Sequence, residues 1–388
     1  KQFYSVAIHP TTTNYFLAGA QDNGVHQFHN PGLSNSIEIT GGDGAFVAID
    51  QDQPQYQFGS YVRNVYRRST NSGATWSSIT LNASTGQFIN PFDYDNSANI
   101  MYCGDASGTY RRWTNPQTGS TSAVVSITSI VGSVTAVSVS PYTANRVFFG
   151  TSSGKVVRVD GANTIATGSA GTDLSTGLAA GTVSCINFGT TENNLIMCES
   201  NYGIQNIWVS TNGGTSWTAI DGNLPDMPVR WCMFYPGSNT KAIIATETGV
   251  WQTDLINGGS TVWVAETGFP TVRTDMLKFR ALDGTIAAAT HGRGLWTTTL
   301  CTPPPVSVSP VNSLICNPGG TGITLTALGA TTYTWSPATG LSATTGASVT
   351  ATPATTTTYT VTGTDGAGCV NTATATVTVT ALPTVAVN

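Results

Sequence analysis

The chain has 388 residues, a net charge of −5 and a pI near 5.2, and only 9% of its residues are charged, where ordinary globular chains carry roughly 25%. The length allows two or more domains with ample core, and 40% hydrophobic residues exclude a disordered composition. The acidic balance argues against nucleic acid or an anionic membrane as partner, and no run of about 18 apolar residues predicts a membrane-spanning helix.

Strand patterns dominate from Lys1 onward, and no long segment has helical periodicity. A repeat runs through the first 300 residues: a β run, a short polar turn, a Gly and a second β run. It reads FLAGAQDNGVHQF, FGSYVRNVYRRS, MYCGDASGTYRRW, VFFGTSSGKVVRV, MCESNYGIQNIWV, IIATETGVWQT and IAAATHGRGLWTT. Measured at Gly24, Asn64, Gly108, Gly154, Gly203, Gly249 and Gly294, the spacings are 40, 44, 46, 49, 46 and 45. That period suits a four-stranded propeller blade, and seven copies predict seven blades over 1–300. Each copy is preceded by its own inner strand: YSVAIHP, AFVAIDQ, FINPFDY, VTAVSVSP, VSCINFG, RWCMFYP and MLKFRAL. The seventh copy shows three strands ending at Leu300, and its fourth is expected from residues before Lys1. We therefore expect a segment of a longer exported polypeptide.

Two stretches stand out within the repeats, STNSGATWSSI at 69–79 and STNGGTSWTAI at 210–220. In each, Ser and Asn side chains can bond nearby backbone, Gly tolerates a positive φ, and Trp opens the next strand as an apolar plug. The residues are Ser69, Asn71, Gly73 and Trp76, then Ser210, Asn212, Gly214 and Trp217. The pattern resembles the Asp-box, or BNR, repeat, with Asn where Asp is usual. Together with AQDNG at 20–24, GGDGAFVAID at 41–50 and ATHGRGLW at 289–296, it is similar to the sortilin/Vps10-like propellers of secreted Bacteroidetes proteins. The resemblance implies that each box joins the third and fourth strands of a blade. It also implies a cell-surface location and type IX export, and it carries no single activity.

Beyond residue 300 the composition changes. CTPPPVSVSP at 301–310 reads as an extended Pro-rich linker. Alternating Thr and Val over 311–380 predict a β-sandwich with Trp335 in its core, which resembles the Ig-like/PKD-type modules of the same surface proteins. Residues 381–388 read as the start of a linker to a further module. Seven cysteines occur without CxxC or Cys/His clustering, so no metal site is expected. Cys316 and Cys369, near the first and last strands of the sandwich, are expected to pair. Cys185 and Cys198 flank FGTTENNL and should face each other, either as a cross-strand disulfide or as two buried thiols.

The scarce charge concentrates in the turns of one propeller face, opposite the Asp-box hairpins. Asp22, Arg63, Asp105, Tyr202, Glu247, His291 and Arg293 come from the repeated turns, with Asp43, Arg230 and Arg273 beside them. The expected ligand contacts at this channel mouth are Asp22, Asp43, Arg63, Tyr202, Arg230 and Arg273. A glycoside hydrolase would need two carboxyl groups roughly 5 to 9.5 Å apart, and Asp22 with Asp43 is the best pair. Yet Asp-Asn-Gly and Gly-Asp-Gly are good turn sequences in their own right, so no catalytic residue is assigned. A sialidase would need Arg63, Arg230 and Arg273 as a triad, and no Arg-Ile-Pro motif accompanies them. No cofactor is expected; Asp50 and Asp52 are thin evidence for calcium, which takes about six to eight oxygen ligands. The sequence thus favours a non-catalytic adhesin or filament component that meets a surface glycan, a protein or neighbouring modules. The alternative is a glycan-degrading hydrolase.

Overall fold

A computed structural model describes residues 1–30, 32–300, 303–316, 320–365 and 369–380. The protein is all-β, with 48% of residues in strands and 1% helical, arranged in many small antiparallel sheets. Residues 1–280 and 286–298 form one compact unit, and residues 281–285 with those from 299 onward form a second.

Seven sheets follow one another among the described residues of the first 300. Six have four strands and span 3–40, 47–82, 92–126, 134–173, 183–219 and 229–265; the seventh, 274–299, has three. We number them sheets 1 to 7. Within each, hydrogen-bonded neighbours follow chain order. The first strands are Phe3–Ile8, Val47–Ile49, Phe92–Asp95, Val134–Val139, Val183–Phe188, Val229–Phe234 and Thr274–Arg280, and every one overlaps an inner-strand run picked out above. Each packs beside the next, and the seventh packs beside the first, in a propeller-like arrangement.

Burial explains the sequence pattern. The second strand of every sheet is buried at every position. A strand covered on both faces has no solvent side, so FLAGA, VFFG and LIMC read as continuous small and apolar runs rather than alternating ones. The core is a series of clusters between consecutive sheets. Phe58, Tyr66, Phe92, Tyr94, Met101 and Trp113 fill one between sheets 2 and 3, and Ile196, Ile207, Val229, Phe234 and Ile244 fill one between sheets 5 and 6. Gly19 shows how closely neighbouring sheets approach, since a Cβ there would lie 1.9 Å from the Ala45 carbonyl oxygen.

The two Asn-containing boxes join the third and fourth strands of sheets 2 and 5, with the same bonding. Ser69 Oγ accepts the Gly73 amide at 2.9 Å, and Asn71 Oδ1 accepts the Thr75 amide at 2.9 Å. Ser210 Oγ accepts Gly214 N–H at 2.9 Å, and Asn212 Oδ1 accepts Ser216 N–H at 3.0 Å. Asn serves where Asp is usual because its Nδ2 finds a hydroxyl acceptor, Thr75 Oγ1 or Ser216 Oγ. The two Trp residues differ. Trp76 Nε1 donates to Gly73 within its own hairpin, whereas Trp217 Nε1 donates to Leu174 just past sheet 4, tying two sheets together.

The second unit has two sheets around one core. One contains Ser307–Ser309, Ile323–Leu328 and Ser348–Ala351; the other contains Asn312–Cys316, Val370–Thr380, Thr357–Thr364 and Thr332–Ser336. Trp335 is buried between them with Leu325, Tyr359 and Val361. The segment read as a linker already contributes a strand, because Ser307–Ser309 alternates about a buried Val308 and pairs with Thr326–Leu328. Residues 301–302 and 381–388 lie outside the described residues.

The expected Cys316–Cys369 disulfide is corrected, and of the two readings of Cys185 and Cys198 the buried thiols are the ones present. Cys369 is disulfide-bonded, but Cys316 is a free, exposed thiol. Asn312–Cys316 runs parallel to Val370–Thr380, placing Cys316 opposite Thr380. Eleven residues of strand, roughly 36 Å at about 3.3 Å each, separate that position from Cys369, far beyond disulfide reach. Cys185 does lie opposite Cys198, yet both are free and buried. They join Cys232 in the apolar cluster between sheets 5 and 6, and Cys185 Sγ donates to the Cys232 carbonyl at 3.4 Å instead of bridging. Burial raises the Cys198 and Cys232 thiols well above the usual range, so they behave as small apolar side chains.

Candidate functional site

Strand register decides which residues meet. In sheet 1, Ile8 pairs with Phe16 and Phe3 with Ala20. The turn at Asp22 therefore sits at the N-terminal end of the first strand. The same register holds in sheets 5 and 6, where Val183 pairs with Glu199 and Val229 with Thr246. This end gathers much of the charge. Tyr4 feels Asp275, Arg273, Asp43 and Asp22, and Asp275 feels Arg273, Arg230 and His291.

Most of these charges are already engaged. Asp43 Oδ1 accepts the Asp22 backbone amide at 3.0 Å, stapling a turn in which Asp22 itself has φ 54°. Arg230 Nε donates to Glu247 Oε1 at 2.7 Å. Arg273 donates to Asp275 Oδ1 through Nε at 3.0 Å and Nη2 at 2.7 Å. Tyr4 donates to Gln21 Oε1. Burial, with the Asp275 charge behind it, raises the Tyr4 phenol and keeps it protonated. Burial also raises the Asp275 carboxyl, against the pull of Arg273. Asp275 Oδ2 and His291 Nδ1 are 3.8 Å apart, too far for a hydrogen bond, and each is buried with no partner.

The remaining turn residues have other surroundings. Arg63 Nη1 donates to the Ser84 carbonyl at 3.2 Å, Tyr202 is 66% exposed, and Arg293 is exposed. Asp105 forms a buried ion pair with Arg111 at 2.7 Å and accepts Asn64 Nδ2 at 3.2 Å. Asp50 accepts four donors, the amides of Asp52 and Gln53, the Tyr94 hydroxyl and Gln117 Nε2. Its lone pairs are occupied by protein groups, which leaves it poorly suited to calcium. Among the described residues, no group of three or more His, Cys, Asp or Glu side chains is placed to hold a metal ion.

A cavity of about 330 Å³ opens farther along the first strands. All seven first strands contribute to its wall, with the residues just past their C-terminal ends, such as Gln51, Asn96 and Pro141. Ile8, Ile49, Val139 and Phe188 make it apolar, while Asp93, Trp231 and Lys278 make it specific. Lys278 Nζ lies 5.2 Å from the Trp231 ring centroid. Asp93 accepts the Tyr94 and Val139 amides at 3.0 and 2.9 Å. Burial raises its carboxyl, and the Lys278 charge opposes that shift. Sequence reasoning passed over these three residues because they stand inside inner strands rather than in turns. The available signal was a charge in an otherwise small and apolar run, Asp93 in FINPFDY and Lys278 in MLKFRAL.

No protein-family model matches the chain, and no curated protein matches it either. Among the described residues, no helix is long and apolar enough to cross a membrane.

Proposed function

We propose that the chain is a non-catalytic binding or structural module of a large bacterial cell-surface protein, with a seven-bladed BNR-type β-propeller followed by an Ig-like sandwich. The propeller acts as the head and the sandwich as the stalk. Export to the cell surface belongs to the same reading, as does a partner that is a surface glycan, a protein or a neighbouring module. One observation carries it: of the two carboxylates best suited to hydrolysis by sequence, Asp43 is spent as a turn staple that accepts the Asp22 backbone amide. Arg230 and Arg273, the guanidinium groups an anionic sugar would need, are each held by a carboxylate.

The full chain should be tested on a glycan array and, in parallel, for turnover of the glycans it retains. Retention without turnover is expected. Asp43→Asn should leave retention in place and lower stability by less than about 1 kcal/mol, the worth of one exposed hydrogen bond. Glycan cleavage that disappears in Asp22→Asn or Asp43→Asn would replace this reading with the hydrolase one.

A further inference from the structure

The central cavity holds two opposite charges that do not meet. Among the described residues, Lys278 Nζ has no hydrogen bond and no ion pair, only the face of Trp231. Trp231 also lines the cavity, and its indole N–H is buried without an acceptor. Asp93 comes from sheet 3 and Lys278 from sheet 7, and Lys278 acts on Asp93 through space. Each Asp93 oxygen accepts one backbone amide and keeps a lone pair. Around these groups the wall is largely aliphatic and aromatic, with Gln51, Asn96, Ser138 and Asn187 as neutral polar members, and the other cation in the lining, Arg280, is held by the His9 and Thr12 carbonyls. A lone cation and a half-satisfied carboxylate in such surroundings are costly unless something polar joins them.

We propose that this cavity binds a small zwitterion, an α-amino acid with an apolar side chain. Its carboxylate sits against Lys278, its ammonium against Asp93, and its side chain against Ile8, Ile49, Val139 and Phe188. Charge balance selects the class. A plain anion would place two negative charges beside one positive, and a plain cation would do the reverse. A zwitterion answers both groups and adds no net charge to the cavity. The cavity volume suits one such molecule, standing near the low end of the roughly 300–1,000 Å³ typical of ligand pockets. The site lies away from the charged turns, and the inference is independent of any surface partner.

Titration calorimetry on the full chain at neutral pH, with leucine, N-acetylleucine and leucinamide as probes, tests the proposal. Leucine should bind with a millimolar or tighter Kd, and each of the two singly charged analogues at least about tenfold more weakly. Lys278→Met should weaken leucine at least about tenfold. Asp93→Asn should weaken leucine while improving N-acetylleucine, because the repelling carboxylate is gone. No heat from leucine up to about 10 mM, a range covering even weak ligands, would overturn the proposal. So would equal binding of all three probes, or an unchanged Kd in a folded Lys278→Met protein. Should a variant fail to fold, the three-probe series on the wild-type chain still decides.

Discussion

At the N-terminal ends of the first strands, Arg230 is held by Glu247, Arg273 by Asp275 and the Asp22 amide by Asp43. Farther along the same strands, Asp93 and Lys278 share a cavity without joining. In a chain with 9% charged residues, both arrangements are conspicuous. The first is what a fold does with polar turns that must pack against neighbours, since most of the charges there are held by a carboxylate, a guanidinium or a backbone group. The second leaves polar capacity unspent inside an apolar wall. Charge density alone, which drew attention to the turns, is therefore a poor guide to ligand binding; unmet charge is a better one.

The largest test of that contrast is Asp105→Ala. Asp105 and Arg111 have side chains only 3% and 7% exposed. Removing the carboxylate strands a buried guanidinium and should cost about 3–5 kcal/mol, read as a lowered urea midpoint. A loss below about 1 kcal/mol would place the pair with solvent-screened ones and weaken the claim that turn-end charges are structural.

A second test concerns Glu199, at the turn end of sheet 5. It is fully buried, Oε1 accepts the Gly181 amide at 2.9 Å, and Oε2 has no partner. Burial raises its carboxyl from the ordinary 4.5 to about 7. Because the folded value lies above the unfolded one, the contribution is fully present below about pH 4.5 and is lost as pH rises through about 7. Glu199→Gln should flatten stability across that window and leave the variant the more stable protein above pH 7. An unchanged pH profile in denaturant melts would show that the carboxyl is already ionised in the fold.

The smallest effect sharpens the comparison from outside both regions. Ser69→Ala and Ser210→Ala each remove a hydroxyl that accepts two backbone amides. Each should cost about 1–2 kcal/mol, by similar amounts because the two hairpins bond alike. Neither should alter leucine binding. A change in ligand affinity would mean that the cavity senses the sheet rims.

Much of the architecture was legible in the chain. The spaced turns located the second and third strands, the second being legible because a strand buried on both faces reads as a continuous apolar run, and the seven runs before them located the first strands. The two boxes fixed their own hairpins, since the Ser and Asn side-chain bonds in them are local. Tertiary structure decided the rest. Parallel pairing of Asn312–Cys316 with Val370–Thr380 separated Cys316 from Cys369, and no local pattern encodes which way a distant partner runs. Packing of Cys185 and Cys198 with Cys232 left them as thiols. Above all, the meeting of Asp93 with Lys278 depends on sheets 3 and 7 facing one cavity, across 185 residues of chain. Local residues set local bonds; which charges met and which stayed apart was set by how the sheets came together.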